Sequence, residues 1–133
     1  HYRVNLGLMG GGTSNLSGTI NHKLSFEYDF NTSVNWLIVH KVAGTIISTT
    51  TTTIPVTFNT VCIVKIYYDS VLDIVTFYVN GVQAHQIVSP GISAASFGFK
   101  SSIVKTTGTS IRTLLIDRVL YGKTPVVETN WNL

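Results

Sequence analysis

Apolar and polar side chains alternate along most of this 133-residue chain, and a period of two is typical of β-strands. In the segment 24–30 (LSFEYDF), for example, every second residue is apolar. The segments with this pattern are 2–8, 24–30, 34–40, 45–48, 61–68, 74–79, 82–88, 95–100 and 111–120. The threonine run at 49–53 also suits an extended edge strand. No window has a helical stripe, so the pattern predicts an all-β domain, a two-sheet antiparallel sandwich.

The dipeptide Asn80-Gly81 is the strongest local signal in the chain. Both residue types tolerate the positive φ of a type I′ turn, so a two-residue hairpin is predicted between the segments 74–79 and 82–88. Such a turn fixes the register, and matching the apolar faces then aligns the segment 61–68. The predicted pairs are Val79–Val82, Tyr78–Gln83, Phe77–Ala84, Thr76–His85, Tyr68–Val75 and Ile66–Phe77.

This register places two rows of polar and aromatic side chains on the face opposite the core. The rows are Lys65, Tyr78, Gln83 and Tyr67, Thr76, His85. An aromatic ring packs on the apolar C–H face of a pyranose, and amides and hydroxyls bond with its OH groups, so the rows are a candidate ligand-binding site. The loop residue Tyr121 is a further candidate. A solvated outer face and a contact between identical subunits fit the same residues.

Composition narrows the classes of partner. The charged fraction is 11%, where about 25% is usual, so part of the surface is expected to be an interface. The net charge of +3 includes no basic run, which disfavours nucleic-acid binding. No apolar stretch approaches the ~18 residues of a membrane-spanning helix, so no membrane insertion is expected. The single Cys62 lies in an apolar run and is expected to be a small buried hydrophobe.

The segment 58–83 reads FNTVCIVKIYYDSVLDIVTFYVNGVQ and resembles the concanavalin A-like lectin/glucanase superfamily, including laminin G-like domains. In that family one strand leads through a short loop into a strand ending in FYV(N/D)G, which matches 77–81 here. The segment 114–120 (LLIDRVL) is similar to the family's closing strand. The resemblance implies a concanavalin-like jelly roll and a lectin-like role. The low charge and the richness in Thr, Ser, Asn and Gly resemble the family's members in phage tail fibres and tailspikes.

Glucanases of that superfamily carry Glu, Asp and Glu at alternate positions of one strand, where they act as nucleophile and acid. This chain has Glu27, Asp29 and Asn31 at those positions. The chain is therefore predicted not to be an enzyme, because the acid/base partner is missing. Glu27 and Asp29 are expected on the solvent side of a half-buried strand, and a glycan hydrolase with a degenerate motif is the alternative.

Lectins of the superfamily often hold Ca²⁺ through loop Asp and Asn residues. Here Asp69 and Asp73 bracket a short loop, and the alternatives are a weak Ca²⁺ site and a polar turn, of which the turn is favoured. The four His have no metal-ligand spacing. No cofactor and no metal site are predicted.

These observations predict a non-catalytic carbohydrate- or receptor-binding module. The resemblance implies the C-terminal part of a phage tail fibre or tailspike that recognises a host-surface glycan, located in the virion or outside the cell. The same resemblance implies a homotrimer, because such fibres act as trimers. Residues 1–133 are expected to be one β-sandwich domain and a piece of a longer protein, because the sequence opens with His1. The alternative is a structural trimerisation or decoration domain without a ligand.

Overall fold

The computed structural model describes residues 2–10, 20–92, 97–105, 107, 108, 113 and 116. All regular structure in this part of the chain is β, with eight strands and no helix. The strands are β1 (Tyr2–Gly10), β2 (His22–Asp29), β3 (Asn35–Val42), β4 (Thr45–Pro55), β5 (Val64–Asp69), β6 (Ile74–Val79), β7 (Val82–Val88) and β8 (Gly98–Lys105). Across these same ranges, no helix is long and apolar enough to cross a membrane.

The strands form two antiparallel sheets, so the prediction of an all-β fold with two such sheets is confirmed. The five-stranded sheet has the order β4-β3-β2-β1-β8, and the three-stranded sheet has the order β5-β6-β7. The threonine run continues the predicted strand 45–48 as β4, at one edge of the larger sheet. Strand β8 begins later than the predicted segment 95–100 and extends to Lys105. The predicted strand 111–120 lies outside the described residues, apart from Thr113 and Ile116.

The hydrophobic core lies between the inward faces of the two sheets. Its centre is an edge-to-face contact between Phe26 of β2 and Phe77 of β6, with ring centroids 5.4 Å apart. Trp36 of β3 packs on Phe26 in the same way, at 5.8 Å. Both phenylalanines are fully buried, and burying such a side chain stabilises the fold by about 1.5–3 kcal/mol. The sheets therefore form a sandwich-like arrangement around one core.

The hairpin between β6 and β7 has the predicted turn. Asn80 and Gly81 have φ values of 49° and 79°, as a type I′ turn requires, and Val79 pairs with Val82. The Asn80 side chain also accepts a hydrogen bond from the amide of Ile63 at 2.8 Å, and the Asn80 amide donates to the Ile63 carbonyl at 2.8 Å. This turn thereby fastens the residues before β5 to the same end of the sheet.

The predicted register of β6 with β7 is wrong beyond the first two pairs. Tyr78 pairs with Gln83, but a β-bulge follows, and Phe77 pairs with His85 instead of Ala84. Thr76 consequently pairs with Gln86, and not with His85. A bulge places two residues of one strand opposite one of the other, which an alternating pattern of apolar residues does not reveal. The predicted register of β5 with β6 is confirmed, with Ile66 opposite Phe77 and Tyr68 opposite Val75.

Candidate functional site

The outward face of the three-stranded sheet carries most of the predicted site residues. Lys65 and Tyr67 alternate along β5 with the inward-facing Ile66, and Lys65 pairs with Tyr78 of β6. Tyr78 in turn pairs with Gln83 of β7, so the predicted row Lys65, Tyr78, Gln83 is present in the structure. We call this surface the Lys65 face. It consists of Ile63, Lys65, Tyr67, Thr76, Tyr78, Gly81, Gln83 and Gln86.

The ammonium of Lys65 lies between two tyrosine rings. Its Nζ is 5.4 Å from the ring centroid of Tyr78 and 5.7 Å from that of Tyr67. Both distances are within the ~6 Å over which a cation is attracted to the face of an aromatic ring. Tyr67 is 43% exposed, so the rings and the charge are presented to solvent together. The three side chains form one amphipathic surface.

A shallow depression of about 280 Å³ lies beside this surface. It is lined by Ile63, Lys65, Tyr78 and Gly81. Small-molecule sites in proteins commonly measure about 300–1,000 Å³, so the depression has room for one small unit of a ligand. The sequence did not identify Ile63 as part of the site, although the bond between Asn80 and the Ile63 backbone brings it there.

The second predicted row is changed by the bulge. Tyr67 lies opposite Thr76 as predicted, but the third member is Gln86, whose Nε2 donates to Thr76 Oγ1 at 3.3 Å. Thr76 is only 5% exposed, so its hydroxyl is not a surface group. It accepts the hydrogen bond that positions the Gln86 side chain. Gln86 is an exposed site residue that the sequence missed, because only the bulge moves it to this face.

The predicted pairing of His85 with Thr76 is wrong. His85 lies opposite Phe77 on the core side, with ring centroids 6.5 Å apart, so it does not belong to the Lys65 face. Burial lowers the pKa of His85 below its usual value, because the charged imidazolium is poorly solvated there. The His85 ring is partly buried on the core side of β7, beside Phe77.

Asp69 and Asp73 form a polar turn between β5 and β6. Asp69 Oδ1 accepts hydrogen bonds from the amides of Val71 and Leu72 at 2.9 and 3.1 Å. Asp73 Oδ1 accepts from the Tyr68 hydroxyl at 2.9 Å, and this bond raises the pKa of that phenol. Among the described residues, no group of three or more His, Cys, Asp or Glu side chains has the spacing to hold a metal ion.

The sequence predicted Glu27 and Asp29 on the solvent side of a half-buried strand, and this prediction is wrong. They are 9% and 4% exposed, and each has a cationic partner. Glu27 is paired with Lys23, and Asp29 Oδ2 accepts from Arg3 Nη2 at 2.7 Å and from Nε at 3.1 Å. Strand β2 ends at Asp29, so Asn31, at the third position of the glucanase pattern, lies in the turn that follows.

The surroundings of Asp29 do not resemble those of a catalytic acid. Burial acts to raise the pKa of Asp29, but the hydrogen bonds from Arg3 and from the Asn31 amide outweigh it and lower that pKa. A glycosidase acid needs a raised pKa, because it must hold its proton until the glycosidic oxygen takes it. Burial raises the pKa of the half-buried Cys62 thiol, which makes it a weak nucleophile.

The predicted site residue Tyr121 lies outside the described residues. Comparisons of the chain with protein-family models, with curated proteins and with solved structures find no match.

Proposed function

We propose that this chain is a non-catalytic carbohydrate-binding module whose ligand binds at the Lys65 face. The observation that carries the proposal is the position of Lys65 Nζ between the rings of Tyr67 and Tyr78, beside a shallow depression. Sugars present an apolar C–H face and a polar rim. The Lys65 face offers a matching set of rings, an ammonium and exposed amides.

Two exposed glutamine amides of the Lys65 face are suited to bond with the polar rim of a sugar. Gln83 lies next to Tyr78 across the strand pair, and Gln86 lies next to Thr76. Each exposed amide both donates and accepts, so it can bond with a hydroxyl in either sense. A ring stacked on Tyr78 would therefore have hydrogen-bonding groups on two sides.

The biological setting of the proposal comes from the family resemblance of the segment 58–83. We propose a concanavalin-like jelly roll, of the kind found in phage tail fibres and tailspikes, that attaches to a glycan of the host surface as part of a homotrimer. The two antiparallel sheets around one core are compatible with this fold. The setting in a virion or outside the cell rests on the same resemblance.

A glycan array followed by titration of the best hit tests the site. Tyr67→Ala combined with Tyr78→Ala should weaken binding roughly tenfold or more, because each aromatic contact contributes about 0.5–1.5 kcal/mol. Phe99→Ala is the matched control, because Phe99 is a partly exposed ring on β8 of the other sheet. Unchanged affinity in the double variant, or an equal loss in the control, would show that the ligand binds elsewhere.

Self-association is the second candidate function, and a specific group of exposed apolar side chains favours it. Val71 and Leu72 in the β5–β6 turn are 90% and 64% exposed, and Val88 at the end of β7 is 65% exposed. The bond from the Ser89 amide to the Asp73 carbonyl holds these two segments together. Light scattering separates the candidates: a stable trimer without sugar affinity, dissociated by Val71→Ser with Leu72→Ser, would favour a purely structural domain.

A further inference from the structure

We propose that the Lys65 face selects a pyranose that carries a methyl group, and that this methyl packs against Ile63 in the depression. This inference rests on the proposed function and specifies its ligand. The methyl can belong to an N-acetyl substituent or to a 6-deoxy carbon, since both present the same apolar end. The selection arises from the apolar wall of the depression and not from the charge of Lys65.

Ile63 forms an apolar wall at the end of the Lys65 face that is nearest the Asn80-Gly81 turn. Its side chain lines the depression together with Tyr78, and it is 48% exposed. Gly81 also lines the depression, and a Cβ placed on it would meet no heavy atom within 4 Å apart from those of its chain neighbours. The depression is therefore open at the turn, where a small substituent of a ligand can enter.

The backbone polar groups of this wall are already paired. The Ile63 amide donates to Asn80 Oδ1, and the Asn80 amide donates to the Ile63 carbonyl, both at 2.8 Å. These bonds connect the segment before β5 to the turn, so the wall is held in place before a ligand arrives and less entropy is lost on binding. With these groups paired, Ile63 offers a ligand mainly its apolar side chain.

The side of the face that lies on β7 is polar instead. Gln83 pairs with Tyr78 of the central strand β6, and both Gln83 and Gln86 are exposed. A sugar stacked on Tyr78 would thus meet amides towards β7 and Ile63 towards β5. A hydroxyl pressed against Ile63 would lose its water partners without gaining new ones. A methyl at that position removes apolar surface from water, which favours binding.

The test is an NMR titration of the isotope-labelled chain with D-glucose, 6-deoxy-D-glucose and N-acetyl-D-glucosamine. We expect at least one of the two methyl-bearing sugars to bind roughly two- to fourfold more tightly than glucose, the range for burying part or all of one methyl group. The tighter of the two identifies which substituent reaches Ile63.

Variants of the wall assign the preference to its residue. Ile63→Ala should remove the preference and leave the affinity for glucose little changed, whereas Ile63→Leu keeps the apolar surface and should retain most of the preference. Val61→Ala is the matched control, because Val61 is an 86% exposed apolar residue of the same segment that lies outside the lining of the depression. It should bind all three sugars like the natural sequence.

The outcomes separate the selection for a methyl group from the proposed function. If glucose binds the Lys65 face as tightly as both methyl-bearing sugars, the selection is wrong while the carbohydrate site stands. If the preference survives in Ile63→Ala, or is lost equally in Val61→Ala, Ile63 is not the selecting group and the selection is wrong as well. If none of the sugars shifts the resonances of Tyr67 and Tyr78, the proposed function fails together with it.

Discussion

The outward residues of β2 and those of β5 come from the same alternating pattern, yet they lie in different surroundings. On β2, Glu27 and Asp29 are 9% and 4% exposed and are paired with cations. On β5, Lys65 and Tyr67 are exposed, and the ammonium contacts ring faces. One set of polar residues is thus part of the interior, and the other forms a surface.

This difference shows that burial, more than residue type, decides what a charged side chain does. A buried charge is costly without a partner, so the outward side of the larger sheet contains a connected network. Lys23 Nζ bonds to Glu27 and to Asn5 Oδ1, and Asn5 Nδ2 donates to Ser102 Oγ at 3.4 Å. Lys65 is exposed, and an exposed charge contributes little to stability.

The largest expected effect comes from breaking one ion pair in this network. Glu27→Gln leaves the ammonium of Lys23 without its carboxylate at a site where the two side chains are 11% and 15% exposed. We expect the free energy of unfolding to fall by about 3 kcal/mol, measured by urea denaturation. Lys65→Gln, an equally small change on the exposed face, should alter it by under about 1 kcal/mol.

In a glycan-binding assay the order of the two effects should be reversed, with the larger loss in Lys65→Gln and little change in Glu27→Gln. Folded Glu27→Gln should bind glycan like the natural sequence, because Glu27 lies on the other sheet from the Lys65 face. Loss of hydrolytic activity on a glycan in Glu27→Gln, with the fold intact, would instead restore the glucanase hypothesis. Equal stability losses in the two variants would remove the contrast between the sheets.

A smaller effect, with a defined pH dependence, is expected at Asp29. Its carboxylate accepts two hydrogen bonds from Arg3, and we expect Asp29→Asn to cost about 1.5–3 kcal/mol at neutral pH. The pKa of Asp29 is lowered in the folded state, so its contribution is present above the usual value of 3.8 and is lost as the pH falls through the lowered pKa. Unfolding curves of variant and natural chain should therefore converge in acid, and a constant difference down to about pH 2 would contradict this account.

The sequence was sufficient for the features that depend on local chemistry. The Asn80-Gly81 turn needs two residues of positive φ, and both the turn and the pairing of Tyr78 with Gln83 are as predicted. The alignment of Lys65 with Tyr78 also followed from matching apolar faces. Short-range rules were therefore enough to bring together one row of the candidate site.

Features that depend on three-dimensional packing were not predictable in this way. The β-bulge at Ala84 shifts the pairing of the residues that follow it by one position. The alternation of apolar and polar residues does not reveal such a shift, so it gave no sign that His85 turns inward and Gln86 outward. The burial of Glu27 was missed for a similar reason, because alternation distinguishes two faces of a strand but does not say whether the second face becomes covered. Gly7 marks the crowding there, since a Cβ on it would lie 2.3 Å from the Leu24 carbonyl oxygen.

The smallest expected effect tests His85, which the bulge moves from the exposed to the buried side of β7. Burial lowers its pKa below the usual 6.5, so its contribution to stability is complete above that value and is lost as the pH falls through the lowered pKa of the folded chain. His85→Gln should flatten the change in melting temperature between about pH 7 and pH 5 by a degree or two, since a partly buried group contributes only a fraction of a kcal/mol. The matched control is Gln86→Ala, because Gln86 is the exposed neighbour of His85 and its loss should leave the pH dependence intact. His40→Gln is not suitable as a control, because His40 Nε2 bonds to the Pro90 carbonyl at 2.8 Å. An unaltered pH dependence in His85→Gln, or a normal His85 pKa in an NMR titration, would place the imidazole on the solvent side and return it to the Lys65 face.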